Sequence, residues 1–311
     1  MSKKLLFVYN PHSGKAQIKL NLCDIIDTFT KASYIVTAMP TQKANDAYFI
    51  TKEMSSDYDI LVISGGDGTL NEAVRGLMQL PKTKRVPLGY IPAGSTNDYA
   101  SSLEISKDML IATKSIINGT PCSCDVGKFE DTHFVYVSAF GAFTDVAYDT
   151  PQKTKNLLGH TAYVLEGLKR LNKIKSIHMK FKNDINGKIE VVEGDYLLGF
   201  ICNTRSIGGL KGKGNLSTKL DDGLLEVLLI NAPKNPLDFQ LILSDVLKQD
   251  VSSKNFTIFK TSKLEITADE DVKWTLDGEN GGAFKSLVIS AEKKAYDIII
   301  DRDKTDLFES I

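Results

Sequence analysis

Strand-like and helix-like segments alternate four times over the first 120 or so residues, and this alternation limits the folds open to the chain. Parallel strands are joined by long crossovers, usually helices, so the pattern predicts an α/β domain with a doubly wound parallel sheet. Residues 58–64, YDILVIS, are almost continuously apolar, as expected for a strand covered on both faces. The predicted strands are 4–10, 33–39, 58–64 and 86–91, and the predicted helices are 16–29, 43–54, 69–80 and 107–117.

Beyond about residue 121 the chain reads mainly as short strands. Residues 178–194 alternate apolar and polar side chains around Asn186-Gly187, which is a strong hairpin signal. Helices are predicted at 154–171 and 236–248. We therefore expect two domains: an α/β domain at 1–122 and a mostly antiparallel β-domain at 123–294.

The composition argues against several classes of protein. Lys and Arg number 38 and Asp and Glu number 39, a balance that is not typical of a strongly basic nucleic-acid-binding protein. No apolar run approaches the roughly 18 residues of a membrane span, and the N-terminal apolar run is too short for a signal-peptide core. The spacing of the four cysteines fits neither a zinc site nor a thioredoxin-type motif. We expect reduced thiols in a cytoplasmic protein.

Three polar, glycine-bearing loops follow predicted strands: NPHSGK at 10–15, SGGDGT at 64–69 and IPAGSTND at 91–98. Open α/β sheets bind ligands beyond the carboxyl ends of their strands, where these loops are expected to meet. Glycine lets backbone N–H groups approach a phosphate closely, and a helix N-terminus adds further donors. One such loop is as well explained by a tight turn, but three at one edge favour a phosphate site.

Asp67 lies inside the most glycine-dense of these loops. A carboxylate would repel a phosphate held by backbone amides unless a cation such as Mg²⁺ lies between them. The alternative is an aspartate that bonds to the backbone of its own turn. Residues 69–72, TLNE, also form a capping-box pattern, which predicts that the following helix begins at Thr69.

Five motifs span nearly the whole chain: NPHSG at 10–14, GGDGTLNEA at 65–73, IPAGSTNDYA at 91–100, KLDDGLLEV at 219–227 and LDGE at 276–279. Together they resemble the catalytic domain of diacylglycerol kinases. The chain is especially similar to the soluble bacterial lipid kinases, which also resemble sphingosine and ceramide kinases. GGDGT alone is less specific, because NAD kinases share it. The resemblance implies a Rossmann-like, NAD-kinase-like first domain, a β-sandwich second domain, and a C-terminal segment, about 295–311, that packs back on the first.

The resemblance also implies roles for individual residues. Asp67 and Asp98 would form an acidic, water-linked network around Mg²⁺, Asp277 would be the general base, and Glu279 would support the network. Ser95 stands where the family usually has Thr and keeps the hydroxyl. The residues that would bind ATP are Asn10, Pro11, His12, Ser13, Gly14, Thr41, Gly65, Gly66, Asp67, Gly68, Thr69, Leu70, Asn71, Glu72 and Ser95.

The segment KLDDGL at 219–224 allows two interpretations. From the residues alone, Asp-Asp-Gly is a good turn before a strand. The resemblance instead implies a structural Mg²⁺ site formed by the carboxylate of Asp222 and the carbonyl oxygens of Lys219 and Leu224. Mixed carboxylate and carbonyl ligation suits this hard cation.

The function expected from the resemblance is ATP-dependent phosphorylation of the free hydroxyl of diacylglycerol, giving phosphatidate. The enzyme would contact the inner membrane surface transiently and would not bind nucleic acid, and a homodimer is one option for its oligomeric state. The glycine- and lysine-rich loop at 208–215 allows two interpretations: a solvated loop, which is the commoner case, or a contact with phosphates or lipid headgroups. Alternatives are another lipid acceptor, such as a sphingoid base or phosphatidylglycerol, and an NAD-kinase-like enzyme with a soluble acceptor. A non-enzymatic nucleotide sensor is a further alternative, although the aspartates expected of an enzyme, Asp67 and Asp277, are both present.

Overall fold

The computed structural model of the chain describes residues 2–141, 175–204, 219–248, 251–301 and 308. The chain divides into two units: unit 1 comprises Met1–Val126, Leu220–Asp222 and Lys293–Ile311, and unit 2 comprises Gly127–Lys219 and Gly223–Glu292. The helix predicted at 154–171 and the loop at 208–215 lie outside the described residues.

Unit 1 contains the alternating strands and helices that the sequence predicts. The strands are β1 (Lys3–Tyr9), β2 (Tyr34–Pro40), β3 (Ile60–Gly65) and β4 (Leu88–Pro92), and the helices are α1 (Ile18–Lys31), α2 (Asp46–Met54), α3 (Asp67–Met78), α4 (Asp98–Ser102) and α5 (Met109–Asn118). All eight predicted segments are present, with shifted ends. The sequence pattern missed α4, because five residues are too few to show helical periodicity.

The strands of unit 1 pair in parallel in the order β2–β1–β3–β4. The last part of β13 (Glu279–Ile300) pairs in parallel with β4, with Ile298 opposite Leu88. The chain therefore moves from β1 to one side for β2 and then to the other side for β3. Ligands of open α/β sheets bind where the strand order reverses in this way, so the loops after β1 and β3 are the expected ligand-binding loops.

Apolar residues at helical spacing hold α1 and α5 against one face of this sheet. Ile18, Ile25 and Phe29 share one face of α1 and are fully buried. They form a single apolar core with Phe7 of β1 and Ile116 of α5. Because this packing fixes where α1 starts, it also fixes the loop that joins β1 to α1 at the carboxyl edge of the sheet.

The predicted capping box at the start of α3 is wrong. The helix begins at Asp67, with Gly66 as its N-cap, two residues before the predicted start. The Thr69 hydroxyl instead accepts a hydrogen bond from Nδ2 of Asn10 at 3.4 Å, and the Glu72 carboxylate reaches the start of α2. Both side chains that fit the local pattern are therefore used in contacts between elements.

Unit 2 is mainly antiparallel, as predicted. β5 (Thr120–Phe129) enters it, and its further elements are β6 (Thr132–Phe134), β7 (Val137–Gly141), β8 (Ile177–Ile185), β9 (Lys188–Cys202), β10 (Leu225–Asn231), α6 (Pro236–Lys248), β11 (Phe256–Thr261), β12 (Lys263–Leu276) and the first part of β13. β8 and β9 form the predicted hairpin. Asn186 and Gly187 in its turn have φ of 53° and 93°, the left-handed pair that a type I′ turn requires.

Strand β10 is buried on both faces, which explains its nearly continuous apolar sequence. Val227 and Leu229 belong to the core around Trp274. Leu228 and Ile230, which point the other way, belong to a second core that includes residues of α6. Unit 2 thus has apolar packing on both sides of its central strands.

The structure bears on two expectations drawn from the composition, those about membrane spans and about the cysteines. Among the residues that the structure describes, no helix is long and apolar enough to cross a membrane. All four cysteines are free thiols, with Cys23 exposed and the other three buried. Burial raises the pKa of Cys122 to about 11 and moves that of Cys124 further above its usual range. Neither of these two thiols is therefore a reactive thiolate at neutral pH.

Candidate active site

The loops after β1, β3 and β4 lie side by side, as the sequence predicts. Main-chain hydrogen bonds extend the sheet into them: Asn10 N–H donates to the carbonyl of Ser64, and Ala93 N–H donates to that of Gly65, both at 2.8 Å. The loop after β2 begins in the same way, since Thr41 N–H donates to Tyr9 at 2.9 Å. The glycine-bearing loops therefore meet at one edge of the sheet.

Glycines allow these loops to approach one another as well as a ligand. A Cβ on Gly66 would lie 3.3 Å from Cα of Gly94, and a Cβ on Gly94 would lie 2.6 Å from Cα of Gly66. Gly14 has φ +54°, and a Cβ there would lie 2.5 Å from the carbonyl oxygen of Ala93. Exposed backbone at such glycines, here called the glycine cradle, is compatible with a nucleotide phosphate, whose oxygens accept hydrogen bonds from backbone N–H groups.

Asn97 and Tyr90 support this cradle, and the sequence analysis missed both. Asn97 has φ 55°; its Oδ1 accepts from Gly94 N–H and its Nδ2 donates to the Gly94 carbonyl, both at 2.8 Å. Tyr90, fully buried in β4, donates from its hydroxyl to the Gly65 carbonyl at 3.2 Å. For Asn97 a signal existed, because asparagine tolerates left-handed backbone and closes turns through its side chain.

Asp67 bonds to the start of α4. Its Oδ2 accepts from Asp98 N–H at 3.1 Å and its Oδ1 accepts from Tyr99 N–H at 3.3 Å. These donors are 31 and 32 residues away in sequence, beyond the local turn considered as an alternative. A carboxylate in this glycine-rich loop therefore holds the next loop in place and brings Asp67 and Asp98 together.

Glu72 joins two helices. Its two carboxylate oxygens accept hydrogen bonds from the backbone N–H groups of Asn45 and Ala47, at 2.8 and 3.2 Å. These amides open α2, whose own N-cap side chain makes no capping bond. Burial raises the pKa of the Glu72 carboxyl, and the two amide donors oppose that shift. The structure thus gives Glu72 a cap role that the sequence did not indicate.

Replacing Glu72 with alanine should lower the free energy of unfolding by about 1 kcal/mol, because two donors at the start of α2 lose their acceptor. Urea denaturation measures the change. The matched control is Glu53→Ala, which removes an exposed carboxylate from α2 itself. Equal denaturation midpoints for the two variants would contradict the cap role.

The remaining predicted nucleotide residues differ in exposure. The hydroxyl of Ser13 is turned inward and accepts from Gly66 N–H at 3.2 Å. Leu70 is 1% exposed, so its side chain packs in the core and can contribute only backbone groups to a ligand. The predicted residues at the surface of the loops are His12, Gly14 and Ser95, while Pro11, Gly66 and Gly68 are half-buried and Thr41, Gly65, Thr69 and Asn71 are buried.

Asp277, in unit 2, is held far more firmly than an ordinary hairpin residue. It forms a two-residue turn with Gly278 between β12 and β13, with φ of 50° and 86°. Its carboxylate accepts hydrogen bonds from three consecutive amides, at 2.6 Å from Val135, 3.0 Å from Tyr136 and 2.9 Å from Val137. The residue is 5% exposed, whereas Glu279, two positions later, is exposed.

In the segment KLDDGL, the more buried aspartate is Asp221. It is 2% exposed, and its Oδ2 lies 3.6 Å from Nζ of Lys294. Asp222, the predicted metal ligand, is half-buried, and its carbonyl oxygen accepts from Nζ of Lys293 at 3.0 Å. Among the described residues no group of three His, Cys, Asp or Glu side chains is arranged to hold a metal. Lys219 and Leu224, whose carbonyl oxygens the resemblance implies as further ligands, are half-buried.

Known proteins resemble the chain in sequence. The diacylglycerol kinase catalytic domain, as a family model, matches residues 4–129. The diacylglycerol kinase of Staphylococcus aureus (strain MRSA252) is 33% identical over 295 residues, which cover 94% of this chain and 91% of that protein. The diacylglycerol kinase of Staphylococcus aureus (strain bovine RF122 / ET3-1) matches with the same identity and coverage.

Solved structures share the fold. A Bacillus anthracis str. Sterne protein matches with a TM-score of 0.81 at 23% identity, covering 97% of this chain and 96% of that one. A diacylglycerol kinase from the same organism matches with a TM-score of 0.75 at 21% identity, covering 97% and 98%. These structures show a common α/β fold with many strands, and the curated relatives show the family. The chain therefore belongs to the diacylglycerol kinase family and is an ATP-dependent lipid kinase.

Proposed function

We propose that the protein transfers the γ-phosphoryl group of ATP to the free hydroxyl of diacylglycerol, giving phosphatidate. The observation that carries this choice of acceptor is the match to curated diacylglycerol kinases over 94% of the chain. In this proposal unit 1 is a Rossmann-like, NAD-kinase-like nucleotide domain and unit 2 a β-sandwich. The acceptor resides in a bilayer, so the enzyme works as a peripheral protein at the inner membrane surface.

Unit 1 supplies the phosphate site. Backbone N–H groups of the loops at 10–14 and 65–69 bind the phosphates of ATP, and the exposed hydroxyl of Ser95 contributes from the third loop. Asp67 and Asp98 hold Mg²⁺, directly or through water, since carboxylate oxygen suits this cation. When bound, Mg²⁺ offsets the negative charge that would otherwise accumulate between these carboxylates and the phosphates. The hydrogen bonds that Asp67 accepts from the start of α4 keep the carboxylates of Asp67 and Asp98 at a fixed spacing.

Asp277 accepts the proton of the lipid hydroxyl, and Glu279 supports the acidic network. The three amides at 135–137 hold the Asp277 carboxylate in one orientation. A rigidly oriented carboxylate can both position the hydroxyl and take its proton. Phosphoryl transfer otherwise depends on positioning and charge neutralisation, which the loops and Mg²⁺ provide.

Transfer of radiolabel from γ-³²P-ATP to acceptors in mixed micelles tests the proposal. The panel contains diacylglycerol, sphingosine and phosphatidylglycerol, with NAD as a soluble acceptor and Asp67→Ala as the inactive control. We expect diacylglycerol to give the highest kcat/KM and Asp67→Ala to abolish labelling. Preferential labelling of sphingosine, phosphatidylglycerol or NAD would replace the proposed acceptor, and no labelling at all would support a nucleotide sensor.

Asp222→Ala tests the proposed structural Mg²⁺ site. An ion that binds only the folded state raises Tm by mass action, so wild-type protein should melt several degrees higher with Mg²⁺ than with a chelator. Asp222→Ala should lose this difference, and Asp131→Ala, which removes an exposed carboxylate from the turn between β5 and β6, should keep it. If Mg²⁺ does not shift wild-type melting, or if Asp222→Ala keeps the same shift as wild type, the segment is only a turn.

A further inference from the structure

Helix α4 carries Asp98 but cannot be stable by itself. It has five residues, and its N-cap, Asn97, is in a left-handed conformation and makes no side-chain capping bond. A single helical turn does not form in water without tertiary contacts. The position of Asp98 therefore depends on whatever anchors α4 to the rest of unit 1.

The anchor in the structure is Tyr99, the residue after Asp98. Its side chain is fully buried, while its backbone N–H donates to Oδ1 of Asp67 at 3.3 Å. Tyr99 thus contacts Asp67 through its backbone N–H and the interior of unit 1 through its ring. Its carbonyl also accepts from the Ser102 hydroxyl at 2.9 Å, which closes the short helix.

The Tyr99 hydroxyl lies 2.6 Å from that of Tyr296, in the part of β13 that belongs to unit 1. It also contacts Sγ of Cys124 at 3.7 Å, a longer contact to a weaker partner. Tyr296 is 2% exposed. A buried hydroxyl that loses its partner is costly, so this pair fixes the direction of the Tyr99 ring. Burial raises the pKa of Tyr99 well above its usual range, so its hydroxyl stays neutral and able to donate.

We infer that Tyr296 is a positioning residue for the kinase reaction: through the Tyr99 hydroxyl it sets α4, and through α4 it sets the spacing of Asp98 and Asp67. The inference rests on the proposed role of these aspartates in Mg²⁺ binding. Tyr296 touches neither nucleotide nor metal in this scheme. Its loss should therefore weaken the response to Mg²⁺ more than the intrinsic rate at saturating Mg²⁺.

The test measures phosphorylation of diacylglycerol at saturating ATP as Mg²⁺ is varied, together with Tm, for Tyr296→Phe, Tyr99→Phe and the double variant. Tyr196→Phe, which removes the hydroxyl of a buried tyrosine in unit 2, is the matched control. Tyr296→Phe should raise the half-saturating Mg²⁺ concentration about three- to tenfold, as expected for one lost hydrogen bond. The effects of Tyr296→Phe and Tyr99→Phe on the half-saturating Mg²⁺ concentration should be less than additive in the double variant, because both changes remove the same hydrogen bond. Tyr196→Phe should not change the Mg²⁺ dependence.

Asp98→Asn separates failure of the inference from failure of the proposed function. If Asp98→Asn raises the half-saturating Mg²⁺ concentration and Tyr296→Phe lowers only Tm, the tyrosine pair is merely structural and the inference is overturned. If Asp98→Asn leaves the Mg²⁺ dependence unchanged, the proposed metal role fails and the inference fails with it. A shifted Mg²⁺ dependence in both variants, with the control unchanged, supports both.

Discussion

Asp277→Asn is expected to lower kcat for diacylglycerol phosphorylation by about 10²- to 10⁴-fold, the usual contribution of a general base. A lipid hydroxyl is a poor nucleophile at neutral pH, and asparagine cannot take its proton. ATP binding should persist, because the loops proposed to bind the phosphates belong to unit 1 and Asp277 belongs to unit 2. The measurements are kcat with diacylglycerol in micelles and the Kd for ATP.

The structure adds a second effect that the sequence alone did not suggest. The turn itself should accept asparagine, which tolerates positive φ and is favoured before glycine in type I′ turns. The three backbone amides at 135–137 should not accept asparagine equally well. If Oδ1 of asparagine keeps the hydrogen bonds from Tyr136 and Val137, its NH₂ group faces the N–H group of Val135. Two facing donors leave a buried N–H without an acceptor, which costs about 1–3 kcal/mol. We therefore expect a lower Tm as well as a lower kcat.

A second hairpin of unit 2 provides the control that separates these effects. Asp184 accepts from Gly187 N–H at 2.6 Å beside the turn that joins β8 and β9. Asp184→Asn keeps an acceptor oxygen there and should retain kcat. Assays are run well below the lowest Tm of the set, so that every variant is folded. A kcat for Asp277→Asn within about threefold of wild type would sink the assignment of Asp277 as the base.

Gly66→Val is expected to weaken ATP binding by about 100-fold or more. Overpacking costs typically about 1–3 kcal/mol, and here the added side chain would also cover the loop backbone that we propose binds the phosphates. A Cβ at this position already lies 3.3 Å from Cα of Gly94, so the branched methyl groups of valine must push two of the three loops apart. Isothermal titration calorimetry with a non-hydrolysable ATP analogue measures the loss.

Because the loops pack against each other, Gly66→Val should also lower Tm. Gly76→Ala is the matched control. A Cβ there would lie 2.6 Å from the carbonyl oxygen of Tyr48, at the end of α3 remote from the loops, so it should destabilise the fold without changing ATP affinity. If Gly66→Val binds ATP within threefold of wild type, the glycine cradle does not bind the phosphates.

The elements of unit 1 could be predicted because their signals are local. The apolar run at β3 and the helical spacing of Ile18, Ile25 and Phe29 are visible in short windows of sequence. The edge of the sheet that carries the site follows from the same alternation, since parallel strands all end on one side. The positions of the loops at 10–15, 64–69 and 91–98 follow from this alternation alone.

The contacts inside the site could not be predicted, because they join residues distant in sequence. Glu72 matches a capping box for its own helix. Its carboxylate instead accepts hydrogen bonds from Ala47 and Asn45 at the start of α2, which lie 25 and 27 residues earlier in the sequence. Asp277 looks like an ordinary turn residue, and the amides that hold it lie 140–142 residues before it. Local preference is a weak guide wherever a tertiary partner offers a better hydrogen bond.

The pairing of β13 with β4 bears on how the chain folds as it is made. Leu88 leaves the ribosome long before its partner Ile298, and at about 5–20 residues per second the interval is about 10–40 s. Throughout that time one edge of β4, a strand buried along its whole length in the finished protein, lacks its neighbour. Unpaired apolar strand edges invite association with other nascent chains. The newly synthesised kinase should therefore depend on chaperones until β13 has been made, and shortened chains that end before β13 should accumulate in inclusion bodies.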